Sequence, residues 1–61
     1  MFYEKIAKLC KERNISIARL EREAGIGNGC IGKWTTRIPN FASLEKVAKA
    51  LDIPIAELVD D

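Results

Sequence analysis

The amino-acid sequence predicts an all-α fold, one domain of five short helices packed as a compact bundle. Three observations carry that prediction. Apolar residues recur three and four positions apart in five successive segments, the spacing of one helix face. No stretch alternates apolar and polar residues as a half-buried strand would. The segments are divided by Asn14, Gly25, Pro39 and Asp52, residue types that end helices, and every connection is short.

The first helix is predicted from Phe2 to Arg13, with Phe2, Ile6, Leu9 and Cys10 on one face and Glu4, Lys5, Lys8, Lys11 and Glu12 on the others. Asn14 stops it, because Asn tolerates the left-handed backbone found at many helix ends. Ser16 is the N-cap of the second helix, whose apolar positions are Ile17, Leu20 and Ala24. Gly25 then supplies a sharp turn at positive φ, open to Gly because it has no Cβ. A third helix is expected over Asn28 to Thr36, with Ile31 and Trp34 inward; its two glycines cost about 1 kcal/mol each relative to Ala. Asn28 is read there as a helix cap, a base reader, or both. Asn40 caps a fourth helix after Pro39, with Phe41, Leu44, Val47, Ala48 and Leu51 as its apolar face. Asp52 ends it. Pro54 opens a fifth helix carrying Ile55, Leu58 and Val59. No internal repeat, linker or low-complexity tract divides residues 1–61, so a single domain is expected.

Composition narrows the function. The 61 residues are 48% apolar and 31% charged, a globular balance rather than a disordered one. No apolar run approaches the roughly 18 residues of a membrane span, and Met1-Phe2-Tyr3-Glu4-Lys5 mixes acid and base where a secretory signal would be apolar. A soluble cytoplasmic protein with no membrane partner is the expectation. The chain has no His and two Cys, which excludes a structural zinc and His-dependent nucleophilic catalysis. A single Cys10–Cys30 bridge would require their Cβ atoms to meet, a point that sequence leaves open. Cys10 reads as core and Cys30 as a half-buried filler. No cofactor and no small-molecule substrate are predicted, and no acid–base pair suggests an enzyme. Net charge is only +1, yet residues 1–37 hold eight Lys or Arg against four Glu, while residues 38–61 hold two Lys against five acids. A basic half and an acidic end fit a surface that faces a polyanion, and equally an ordinary mixed surface.

The stretch from Ser16 to Trp34 carries the chemistry. Two short helices joined by a brief turn containing Gly cross steeply, so the first braces the second and leaves its outer side free for a groove. That outer side holds Asn28, Gly29, Gly32, Lys33 and Thr36. Small residues allow close approach to base edges, and Asn and Lys supply donors there. The helix starts near Ser16 and Asn28 offer backbone N–H groups suited to phosphate. Trp34, three positions after Ile31, belongs to the core rather than to a base-stacking platform, and Phe2, Tyr3 and Phe41 are read as core or rim.

Leu20, Ala24, Gly25, Ile26, Ile31 and Trp34, followed by Arg37-Ile38-Pro39, then Leu44, Val47, Ala48, Ala50, Leu51, Ile53 and Leu58, fall at the spacings of one known family. The chain resembles the lambda-repressor-like (Cro/XRE-type) helix-turn-helix regulators over nearly its whole length. The resemblance implies a five-helix DNA-binding domain with its helix-turn-helix at helices 2 and 3, and helix 3 in the major groove. It implies base contacts from Asn28, Gly29 and Lys33, with Gly32 and Thr36 nearby. It implies phosphate contacts from Ser16, Ile17, Arg37 and Asn40. Such regulators usually bind a pseudo-palindromic double-stranded operator as homodimers, and Ile53, Ile55, Leu58 and Val59 are the candidate dimer residues. The expected function is sequence-specific transcription regulation, as a phage-type repressor.

Three residues depart from the family pattern. Glu21 stands where a small residue such as Ala is frequent, and is expected to point outward or pair with Arg22 or Arg37. Gly29 lacks the side chain that often reads a base at its position. Asp52 replaces a terminating Gly, which its tolerance of the left-handed region allows. The alternative function is a protein-interaction module, antitoxin-like or anti-repressor, that keeps the fold and acts on a protein partner. The acidic end and the glycine-bearing third helix motivate it.

Overall fold

The computed structural model describes residues 2–59, arranged as α1 (Phe2–Glu12), α2 (Ile17–Ala24), a 3₁₀ segment (Ile31–Thr35), α3 (Phe41–Leu51) and α4 (Ala56–Val59). The described residues are all-helical or connecting, with no strand. Four α-helices and one 3₁₀ segment thus stand where five helices were expected.

α2 and α3 are capped locally, as the sequence indicates. The Ser16 side chain accepts from the Arg19 N–H at 3.0 Å, and Asn40 Oδ1 accepts from the Ser43 N–H at 2.8 Å. Three helices end by one repeated device. Asn14 (φ 57°), Gly25 (φ 74°) and Asp52 (φ 58°) take the left-handed conformation. The next residue, an Ile each time, donates back into the last turn: Ile15 to the Cys10 carbonyl, Ile26 to Glu21 and Ile53 to Ala48, all at 3.0 Å. Each Ile is half-buried against the core, the apolar contact that commonly accompanies such a cap. The last helix starts at Ala56, two residues after the Pro54 start that the sequence suggests; the Pro54 carbonyl accepts from the Glu57 N–H at 3.0 Å in the turn that leads into it.

The core gathers Ile6 and Cys10 of α1, Leu20 of α2, Ile31 and Trp34, then Leu44, Val47, Ala48 and Leu51 of α3, and Leu58 of α4. Burial of a side chain such as Ile6, Leu20, Ile31 or Val47 contributes about 1.5–3 kcal/mol. In a domain this small, one such side chain is a large share of the net stability. α2 packs on α3, and α1 packs on the 3₁₀ segment, α4 and α2. Both cysteines are free thiols, Cys10 buried and Cys30 half-buried. Phe2 and Tyr3 lie at the core's rim, but Phe41, expected on the apolar face of α3, is 61% exposed. It is the first residue of the helix, one turn before the buried Leu44.

The third segment is where propensity prevails over pattern. Residues 28–30 form a turn, with Gly29 at φ +84°, a conformation incompatible with a regular helix. Only Ile31–Thr35 remains helical, in the tighter 3₁₀ form suited to short pieces. Gly32 adds no side chain to favour a helix. Thr35 and Thr36 bond their hydroxyls to the Gly32 and Lys33 carbonyls, at 3.1 and 3.4 Å. Asn28 therefore caps no helix; the residue preceding the segment is Cys30, which makes no side-chain cap bond.

Candidate nucleic-acid interface

Ile31 and Trp34 are 0% and 5% exposed, and their spacing along the 3₁₀ segment fixes which side meets the core. The opposite side is set by that choice. Asn28, Gly29, Gly32, Lys33 and Thr36 are all exposed, as the sequence predicts. An added Cβ at Gly29 or at Gly32 would meet nothing within 4 Å, so the surface around them is open. Arg37, Ser16 and Asn40 are exposed and Ile17 is half-buried, at the starts of α2 and α3 and in the loop between the 3₁₀ segment and α3.

The cap geometry decides which groups on this face have donors to offer. Ser16 and Asn40 each use an acceptor atom on their own helix, which leaves the Ser16 hydroxyl proton and the Asn40 amide N–H groups as donors for other acceptors. The first-turn amides of α2 follow the same logic, since a helix start leaves N–H groups without intrahelical partners.

The expectation of unspent N–H groups near Asn28 is corrected by Glu21. That side chain is 3% exposed, and it neither points outward nor pairs with Arg22 or Arg37. Its Oε1 accepts from the Gly29 N–H at 3.0 Å and its Oε2 from the Ile31 N–H at 2.9 Å. The Cys30 N–H between them donates to the Gly27 carbonyl at 3.0 Å. A carboxylate has acceptors only, two oxygens that can take parallel donors, so it suits two main-chain N–H groups better than any neutral side chain. Sequence reasoning missed this role. No local signal pointed to it: the N–H groups that Glu21 serves lie eight and ten residues ahead, beyond the reach of helix periodicity and cap spacing.

The four residues named for a dimer surface divide. Leu58 is buried in the core, Ile53 and Ile55 are half-buried against it, and Val59 is 50% exposed. Val59 shares a groove of about 270 Å³ with Phe2, Trp34, Leu58, Thr36, Arg37 and Ile38. Ile38, which no sequence signal marked as exposed, is 85% accessible there. The groove adjoins the far end of the 3₁₀ segment.

Among the described residues there is no cluster of three or more metal-ligating side chains, and no helix is long and apolar enough to cross a membrane. A family model described as Cro/C1-type HTH DNA-binding domain matches residues 5–61. No curated protein and no solved structure matches the chain.

Proposed function

Since the chain belongs to the Cro/C1-type helix-turn-helix DNA-binding family, we propose that it is a sequence-specific transcription regulator of the phage-repressor type, binding a pseudo-palindromic operator. The reading is carried by one observation: Ile31 and Trp34 lock the 3₁₀ segment onto the core while Asn28, Gly29, Gly32, Lys33 and Thr36 all remain exposed. That segment enters the major groove. Lys33 and Asn28 supply donors to base edges, Thr36 its hydroxyl, and the glycines let the backbone approach closely. Ser16, the first turn of α2 around Ile17, Arg37 and Asn40 hold phosphates on either side and set the register.

A homodimer on DNA places two such segments one helical turn apart. The exposed apolar residues Val59 and Ile38 favour the groove they share as part of the seam, and the half-buried Ile53 and Ile55 are its further candidates. Repression then follows from occupancy of the site.

Selection from a random duplex pool at two salt concentrations tests the proposal. A two-fold-related sequence should be enriched, with affinity falling steeply as salt rises. Lys33→Ala should relax preference at one base pair per half-site, costing about 1–3 kcal/mol on the preferred sequence. Arg37→Ala should weaken all sequences alike and reduce the salt slope by about one. Failure to enrich any sequence at low salt overturns the regulator reading; a stoichiometric protein partner recovered without a DNA footprint would favour the interaction-module alternative.

A further inference from the structure

We propose that Glu21 is the positioning residue of the DNA-reading surface, a buried carboxylate that holds the turn before the 3₁₀ segment in the shape that presents Asn28, Lys33 and Thr36 together. The proposal rests on the DNA-binding reading above and adds a residue that would touch no DNA.

Glu21 ties three points of a ten-residue stretch to one place. Its main-chain carbonyl takes the Ile26 N–H at 3.0 Å, closing α2, while its carboxylate takes the N–H groups of Gly29 and Ile31. Loss of the side chain would leave the turn without another polar fastening to α2. Gly29 has open space around it and a positive φ, so no packing holds it, and Cys30 provides no cap. A five-residue 3₁₀ segment has little cooperativity of its own to restore order.

The chemistry requires a carboxylate and not merely a polar side chain of that length. Glutamine keeps the shape but replaces one acceptor oxygen with an NH₂ group, which would face a main-chain donor across about 3 Å. A charged acceptor also makes the stronger bond to N–H. The burial of Glu21 makes the mismatch costly, because water cannot step in. Glu21 lines a depression with Ala18, Arg22, Ile26 and Asn28, so the fastening lies beside one of the residues that would face a duplex. Phosphate contacts from Ser16 and Arg37 do not pass through the turn. Binding that depends on them alone should survive its loosening.

Glu21→Gln in the full chain tests the proposal. In the free protein, NMR amide exchange should speed up at Gly29 and Ile31 by about tenfold or more, the loss of one charge-assisted bond, while circular dichroism stays helical. Affinity for the selected operator should fall about tenfold, and affinity for a scrambled duplex at the same salt should change less than about twofold. Equal losses on the two duplexes would mean a merely structural role and overturn the proposal. So would unchanged exchange at the two amides, whether or not DNA binds. A wild-type protein that selects no sequence overturns the regulator reading instead. If Glu21→Gln fails to fold, Glu21→Asp keeps the charge and draws the carboxylate back from the turn; faster exchange at Gly29 and Ile31 with the same fall in operator preference supports the proposal, and an unchanged preference overturns it.

Discussion

α3 and the 3₁₀ segment both begin after a break in the chain, and both must satisfy main-chain N–H groups there, yet they do so from opposite distances. α3 is capped by Asn40, three residues from the N–H it serves. The 3₁₀ segment is capped by Glu21, eight and ten residues away on another helix. A local cap makes a helix start wherever the rest of the chain lies. A remote cap makes the start conditional on the fold, and it places the third segment in a defined relation to α2. Where a surface must read a groove, that relation is what counts.

The comparison can be broken from the core outward. Ile31→Ala removes the fully buried anchor of the 3₁₀ segment and should cost roughly 2–5 kcal/mol in urea unfolding, enough to unfold much of a domain this small. A loss below about 1 kcal/mol would mean the segment is not anchored through its core side. Asn40→Ala should cost about 1 kcal/mol of stability. Because that cap is local, it should weaken duplex binding uniformly and leave sequence preference intact. A changed preference would erase the distinction between the two kinds of cap. Gly32→Ala sharpens the contrast from the other side: the position has open space and an ordinary φ, so stability should rise by about 0.4–1 kcal/mol in thermal unfolding.

The smallest effect concerns the thiols. Burial pushes the Cys10 thiol up from its ordinary value, with the nearby Arg13 charge opposing. The folded state therefore keeps its proton to higher pH than the unfolded chain, so this contribution to stability is full below the ordinary thiol pKa and is lost as pH rises past it. Iodoacetamide at mildly alkaline pH should modify half-buried Cys30 well before Cys10. Equal rates would mean that α1 opens readily.

What the sequence made legible was whatever depends on neighbours along the chain. The Ser16 and Asn40 caps, the left-handed Asn14, Gly25 and Asp52, and the inward spacing of Ile31 and Trp34 are local arrangements, and periodicity plus cap chemistry found them. The shortening of the third helix is half visible: its two glycines count against a helix, but nothing local says that Gly29 takes positive φ and moves the start to Ile31. Glu21 was illegible because its partners lie across a turn whose shape it helps to set. Phe41 and Ile38 escaped for a related reason. Apolar spacing identifies a face but not how far the neighbouring elements extend to cover it.

The vacant volume over Gly32 has a practical consequence. The first carbon of a side chain grafted there would meet no protein atom within 4 Å, on a backbone anchored through Ile31 and Trp34. Randomising that one position should yield variants that fold as well as the parent and differ in the bases they favour. The same bareness that leaves this surface few side chains of its own makes it a ready scaffold for retargeting.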